Sequence, residues 1–386
     1  MDFSLRDDQQ LIRATVRQFM EAELRPHLRE MEKEEKFPRE HLRKLGEMGC
    51  CGMLIPEEWG GAGADCVSYV VMLEEVARVC ASSAVTLSVT NSVVAVPLWK
   101  HGTGAQKKKY LPRLAQGEIL GSFCLTEPEA GSDAAAIQTR AVRDSGRYIL
   151  NGTKSWVSTG GYAGLYLVFA KTDPAAGARG VSAFLVEPEE PGFRISRYED
   201  KMGLRMSKTA ELVFSDCVVP AENRLGEEGQ GLKIALEALD GGRVGIAAQA
   251  VGIAQGAFEE AARYAKQRRA FGKAIGEFQA IQWMLADMQT EIEAARALTQ
   301  YAAWLRDAGA AGAGPAAARA KLYASEMVNR VAYKAVQVHG SSGYSRETPV
   351  ERMYRDARVI SIYEGTSEIQ RMVIARDLLG QSKGAV

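Results

Sequence analysis

Twice along this chain the spacing of apolar residues changes period. Up to about residue 120 they recur at helical intervals, as in "LIRATVRQFMEAELRPHL", where Leu11, Ile12, Val16, Phe19 and Met20 follow one face. From there to about residue 225, short β-branched and aromatic runs such as "YILNGTKSWVS" and "AELVFSDCVVP" alternate with Gly, Pro, Asn and Asp, a strand and hairpin pattern. From Gly231 the helical period returns. "IQWMLADMQTEIEAARALTQYAAWL" puts Ile281, Met284, Leu285, Met288, Ile292, Ala295 and Leu298 on one side. Ala248, Gly252 and Gly256 form a stripe of small residues that would let a second helix approach closely. This order predicts a mainly α fold with a middle β domain: a helical domain over 1–120, a β domain over 121–225 and a helical bundle over 226–386. Long helices with short connections imply antiparallel neighbours.

A chain of 386 residues can bury a core of that size. One run needs its own explanation. From Val79 to Trp99, "VCASSAVTLSVTNSVVAVPLW" carries no charge and is long enough to span a membrane. It is also dense in Ser and Thr, with Asn91 and Pro97 inside it, so it is expected to be a helix buried in protein and no membrane span. Formal net charge is zero, which gives no electrostatic reason for nucleic acid or an anionic membrane as partner. Cys50, Cys51, Cys66, Cys80, Cys124 and Cys217 make no C-x-x-C pair and no zinc spacing with the histidines, which suits buried thiols in a reducing compartment. The N-terminus lacks an apolar signal core. The expected setting is the bacterial cytoplasm, or the mitochondrial matrix for a processed chain.

Candidate functional residues come in four stretches. "CLTEPEAGSD" (124–133) offers backbone amides and the hydroxyls of Thr126 and Ser132 to an anion, or is a polar turn at a strand end. "AKQRRAFGKAIGEFQ" (265–279) sets Arg268 and Arg269 beside Phe271, as a phosphate site or a solvated helix end. "QVHGSSGY" (337–344) is a helix end capped by glycine, with His339 either structural or functional. In "SIYEGTSEIQ" (361–370), Ser367 and Gln370 fit a capping box, with Glu368 in the first turn. That leaves Glu364 over, as a working base or an exposed loop carboxylate. "GGAGAD" (60–65) follows Pro-Glu-Glu-Trp rather than a strand, so it is no dinucleotide or phosphate loop.

"CLTEPEAGSD", "LNGTKSWVS", "YAKQRRAFGKAIGEFQAIQ" and "YRDARVISIYEGTSEIQR" occur in the order and spacing typical of the acyl-CoA dehydrogenase family. The resemblance runs from "LRDDQQLIR" to "IQRMVIARDLLG" and is nearest the short-chain, butyryl-CoA type. It implies an N-terminal helical domain, a middle β-barrel or sandwich and a C-terminal four-helix bundle. It also implies FAD, held without a Rossmann loop. By position, Glu364 is the base. Phe123, Leu125, Thr126, Gly131 and Ser132 would contact the flavin, with Trp156, Val157 and Ser158 at its ring system. Arg268, Phe271, Phe278 and Gln279, with Gln337, His339, Gly340 and Ser341, would reach the FAD of a neighbouring subunit in a homotetramer, a dimer of dimers. Thr366 and Glu368 would sit beside the flavin. Ser132, Asp240, Arg243, Tyr363 and Gly365 would meet the acyl-CoA.

The implied reaction is αβ-dehydrogenation of an acyl thioester to the trans-2-enoyl-CoA. Glu364 removes a proton from Cα while flavin N5 takes a hydride from Cβ, and the Glu364 amide and a ribitol hydroxyl stabilise the developing enolate. An apolar pocket would raise the pKa of Glu364 towards the working pH. Electrons would pass to an electron-transfer flavoprotein. The same fold could instead serve an oxidase that uses oxygen, or a non-catalytic flavoprotein. A minority of the family carries its base on the helix near Arg243, but Gly242 offers no carboxylate there. The family often has "GGxG" where this chain has "GSSG", which leaves the flavin contact of Ser341 less defined. The segment from Val85 to Val94 is expected to line the acyl end of the pocket. It offers no arginine for a distal carboxylate, which argues against glutaryl substrates.

Overall fold

The computed structural model describes residues 4–380. Seven α-helices come first: α1 (Asp7–Phe19), α2 (Leu28–Glu34), α3 (Arg39–Glu47), α4 (Cys66–Val79), α5 (Ala81–Ser88), α6 (Val96–His101) and α7 (Gly104–Ala115). A π-helical turn, Val89–Ala95, joins α5 to α6, so the charge-free run becomes one helix from Ala81 to His101. It is wholly buried inside the protein. Its polar side chains find partners there: Ser92 Oγ donates to Ser88 O (2.6 Å), and Asn91 Nδ2 donates to Cys50 O (2.9 Å) and Leu87 O (3.0 Å). Pro97, which has no amide to donate, sits inside this helix just after the π-helical turn.

The strands are β1 (Gly121–Cys124), β2 (Arg140–Asp144), β3 (Arg147–Ser158), β4 (Leu165–Lys171), β5 (Val181–Val186), β6 (Phe193–Tyr198), β7 (Thr209–Pro220) and β8 (Arg224–Leu225). Their order is β6-β7-β3-β2-β4-β5-β8, with β1 parallel to β4. A single residue pair, Arg140 with Lys171, joins β2 to β4. At that seam the sheet folds over on itself. Tyr148 of β3 then meets Phe184 of β5 with ring centres 4.9 Å apart, and Tyr166 of β4 meets Phe193 of β6 at 4.9 Å. The result is a sandwich with its own core. β4 and β5 are buried on both faces: Tyr166, Val168 and Ala170 point into the sandwich, while Leu165, Leu167 and Phe169 point into the helices. That explains their unbroken apolar sequences.

The C-terminal part comprises α8 (Gly231–Gln267), a small hairpin of β9 (Arg269–Ala270) and β10 (Lys273–Ala274), α9 (Gln279–Asp307), α10 (Ala313–His339), α11 (Pro349–Arg358) and α12 (Ser367–Leu378). The small-residue stripe brings α8 against α4. A Cβ on Gly252 would lie 2.3 Å from the Glu74 carbonyl, and one on Gly256 would lie 2.3 Å from that of Arg78. Beside that crossing, buried Arg78 bridges Glu75 (3.0 Å) and Glu259 (2.9 Å), which ties the N-terminal helices to the bundle. All six cysteines are buried and unpaired.

Candidate active site

Glu364 lies between α11 and α12 on a tight turn. Its φ is +50° and that of Gly365 is +87°, so two successive residues are left-handed. Glycine takes that shape freely, whereas a glutamate needs its surroundings to hold it there. Three helices do so. The Tyr363 hydroxyl donates to Gln249 Oε1 on α8, and Gln249 Nε2 donates to the Ala81 carbonyl at 2.8 Å. Lys321 Nζ on α10 donates to the Gly365 carbonyl at 2.8 Å. Gln370 Nε2 on α12 donates to the carbonyls of Glu364 (3.2 Å) and Gly365 (3.0 Å).

This differs from the capping box expected from the sequence. Thr366, not Ser367, is the N-cap of α12, its Oγ1 accepting from the Ile369 amide at 3.3 Å. Ser367 is the first helical residue and donates to Glu326 at 2.7 Å. Gln370 is therefore free to hold the turn instead of closing a cap.

The Glu364 side chain turns inward. Its Oε2 is sealed from solvent and has no hydrogen-bond partner among the described residues, although the residue as a whole is half-buried. It occupies the space left by the missing side chain of Gly242. A Cβ there would lie 2.0 Å from Oε2, and 3.0 Å from Val93 Cγ1 of the charge-free helix. Burial raises the Glu364 carboxyl from 4.5 to about 7, while Lys321 and Arg243 pull it the other way. Arg243 is buried and paired with Asp240 at 2.5 Å, and its Nε is left without a partner among the described residues.

The Val89–Ala95 turn also touches the β domain. Thr90 Oγ1 accepts from the Gly121 amide at 3.2 Å, and Val94 packs where a Gly121 side chain would stand. β1 leads from there into the turn of "CLTEPEAGSD". Buried Glu127 holds that turn, accepting from Lys154 Nζ (2.7 Å) and from the amides of Thr139 (3.0 Å) and Gln138 (2.5 Å). Lys154 also donates to Leu125 O (3.0 Å), and the Ser155 amide donates to Thr126 O (2.9 Å), so the first two sequence motifs are bound together. The next residue, Trp156, sits at a bulge in the β3–β7 pairing with φ +58°. The bulge turns the indole outward, leaving it 61% exposed.

The profile of the acyl-CoA dehydrogenase N-terminal domain matches residues 6–118, that of the middle domain 122–217, and that of the C-terminal domain 229–379. The chain belongs to the acyl-CoA dehydrogenase family. It is a flavoprotein oxidoreductase acting on CH–CH groups, with acyl-CoA dehydrogenase activity. It is 48% identical over 375 residues to a short-chain specific acyl-CoA dehydrogenase of Clostridium acetobutylicum, covering 97% of this chain and 99% of that one. It is 49% identical over 381 residues to an acryloyl-CoA reductase (NADH) of Anaerotignum propionicum, covering 98% and 96%. The butyryl-CoA dehydrogenase structure from Megasphaera elsdenii superposes with a TM-score of 0.96 at 46% identity, covering 98% of this chain and all of that one.

The residues that the acyl-CoA dehydrogenase motifs single out fall into three groups. Tyr363, Glu364, Gly365, Asp240 and Arg243 converge at the turn, with Thr366 and Glu368 at the start of α12. Phe123, Leu125, Thr126, Gly131, Ser132, Trp156, Val157 and Ser158 lie on the β domain; Leu125 and Val157 are core side chains, while Gly131 and Ser132 are exposed. Arg268, Phe271, Phe278, Gln279, Gln337, His339, Gly340 and Ser341 cluster at the far end of α8, where His339 is buried and stacks on Tyr264 at 4.3 Å. Gly340 caps α10 with φ +58°. From Gly242 to Arg268, α8 spans about 39 Å at its regular rise, so one chain keeps the first and third groups far apart. Lys321 and Gln249 were not singled out by the sequence. The available signal was a lone lysine or glutamine on an otherwise small, apolar helix face: Ala317, Lys321, Ala324 and Val328, or Gly245, Gln249, Gly252 and Gly256.

Proposed function

We propose that this acyl-CoA dehydrogenase oxidises short-chain acyl-CoA thioesters to trans-2-enoyl-CoA. Glu364 is the base, FAD the cofactor and an electron-transfer flavoprotein the acceptor. The observation that carries this reading is the Glu364 carboxylate: sealed, without a partner at Oε2 among the described residues, and raised by burial to a pKa of about 7. A base with that pKa is ionised often enough to act and basic enough to take a weakly acidic proton. Its Oε2 would accept the α-proton, the Glu364 amide would steady the thioester oxygen as charge develops, and the apolar wall at Val93 would keep water out. The Clostridium and Megasphaera relatives support a short acyl group.

FAD fits the residues present. Trp156 offers a flat, exposed face, and the turn at Gly131 and Ser132 offers exposed backbone. When bound, the flavin supplies the acceptor for the hydrogen and electron pair leaving Cβ. The remote cluster around Phe271, itself 95% exposed, lies too far from Glu364 to serve the same flavin within one chain. This supports a homotetramer in which it reaches a neighbour's cofactor. Trp283, Tyr301 and Trp304, exposed on α9, would gain cover in such an assembly. The same reading divides the chain at 1–120, 121–225 and 226–386.

The Anaerotignum relative favours a second direction, reduction of an enoyl-CoA. A carboxyl near 7 can return a proton to Cα as well as remove one. Steady-state assays over acyl-CoAs from butyryl upward, with a flavoprotein acceptor, and over enoyl-CoAs with NADH separate the two. The expected result is fastest oxidation of the shortest substrates. A preference for long chains would refute the short-chain reading, and rapid reoxidation in air with peroxide release would refute the acceptor.

A further inference from the structure

The bundle holds a charged group that the reaction above does not use. Lys321 on α10 is 0% exposed. Taking an ammonium out of water without an adjacent anion is costly, so a chain that keeps one gains something specific from it. What it touches is the Glu364 turn, through the 2.8 Å bond to the Gly365 carbonyl. That carbonyl belongs to the residue after Glu364, and the Glu364 carboxylate is the strongest attraction on the ammonium. Arg243 of α8 opposes it, and Glu326 of its own helix and Glu368 of α12 add to the attraction. Seen from Glu364, the cations are Lys321 first and Arg243 second, and Arg243 is already engaged by Asp240. The nearby phenols of Tyr69 on α4 and Tyr363 on the turn are held neutral by burial.

We propose that Lys321 is a positioning residue of this site: it fixes the Glu364–Gly365 turn and supplies the positive charge that keeps the Glu364 carboxylate ionised for proton removal. This rests on Glu364 being the base. The two contributions can be separated. The hydrogen bond is duplicated, because Gln370 Nε2 reaches the same Gly365 carbonyl at 3.0 Å. The charge is backed only by Arg243, the weaker influence on Glu364 and one already paired with Asp240. The balance is mutual: burial lowers the Lys321 ammonium to about 8, and Glu364 is the main influence holding it up.

The test is the pH dependence of flavin reduction by acyl-CoA in single turnover, for the wild type, Lys321→Met, Lys321→Gln and Lys321→Arg. Both neutral variants should fold and keep flavin. Their acid limb should move to higher pH by about one unit or more, since loss of a nearby cation raises a carboxyl pKa. Near pH 6 the rate should then drop about tenfold, and recover as pH rises, which damage to packing alone would not produce. The arginine variant should keep the wild-type limb. An unmoved limb in the neutral variants overturns the proposal, as does an equal shift in the arginine variant. Failure of both neutral variants to fold also overturns it, because Lys321 would then be structural. Glu364→Gln run alongside checks the underlying reading. If that variant kept the wild-type rate, the base assignment would fall whatever Lys321 did.

Discussion

Changing Glu364 to Gln should stop turnover and stabilise the folded chain together, and the second effect depends on pH. Burial moves the carboxyl from 4.5 to about 7. At about 1.4 kcal/mol per unit, the ionised carboxylate weighs against folding by about 3 kcal/mol once the pH is well above 7. Between 4.5 and about 7 the folded chain holds a proton that the unfolded chain has released. The stability from that proton is complete at acid pH and is lost as pH rises through the window. Glutamine has nothing to lose. E364Q should therefore exceed the wild type by up to about 3 kcal/mol near pH 8, with the gap closing below about pH 5. Unfolding of both proteins across this range measures the gap, and bleaching of the flavin by butyryl-CoA on the same samples measures the chemistry. A gap that stayed constant with pH would refute the buried-carboxylate reasoning, and near-normal bleaching in E364Q would refute the base.

Two further substitutions test the surroundings. Gly242→Ala would set a methyl group 2.0 Å from Glu364 Oε2. The neighbour that gives way is the end of a side chain, so the fold should survive; the carboxylate should swing off line by roughly 1 Å, and flavin reduction should slow about 100-fold. A normal rate would show that the carboxylate does not work from that position. Trp156→Ala removes a ring that is 61% exposed. Stability without flavin should change by less than about 1 kcal/mol, while the flavin-to-protein ratio after gel filtration should fall; unchanged flavin retention would remove Trp156 from the cofactor site.

The order of helical and strand regions was legible because each has its own apolar period, the helical one appearing on both sides of a single strand region. The sandwich was less so: it depends on a sheet bending at one residue pair, Arg140 with Lys171, and nothing local in the sequence marks that seam. Glu364 was legible by subtraction, as the carboxylate that helix capping left over. The cap itself was misplaced by one residue. Thr366 and Ser367 are adjacent hydroxyls, and choosing between them needed Glu326 on α10, 41 positions earlier than Ser367, to engage Ser367. Lys321 could not be read as a site residue for a similar reason. A lysine on a helix usually reaches water, and this one is significant only because α8, α10 and α12 meet around the turn.

Two local terms work against the Glu364 turn in isolation. A left-handed glutamate costs on the order of 1–3 kcal/mol, and its ionised carboxylate in a closed space costs a similar amount. Neither helps folding, and both help a base: the first aims the side chain inward and the second raises its basicity. They persist because the polar groups around them are satisfied, with the Tyr363 hydroxyl on Gln249 and the Glu364 and Gly365 carbonyls on Gln370 and Lys321. The same geometry accounts for the empty position on α8. Any side chain at Gly242 would compete with Glu364 for one volume, and a second carboxylate there would push one of the two towards its neutral form. This turn leaves room for one carboxylate, on the turn or on α8, and the glycine at 242 is what the proposed base at Glu364 requires.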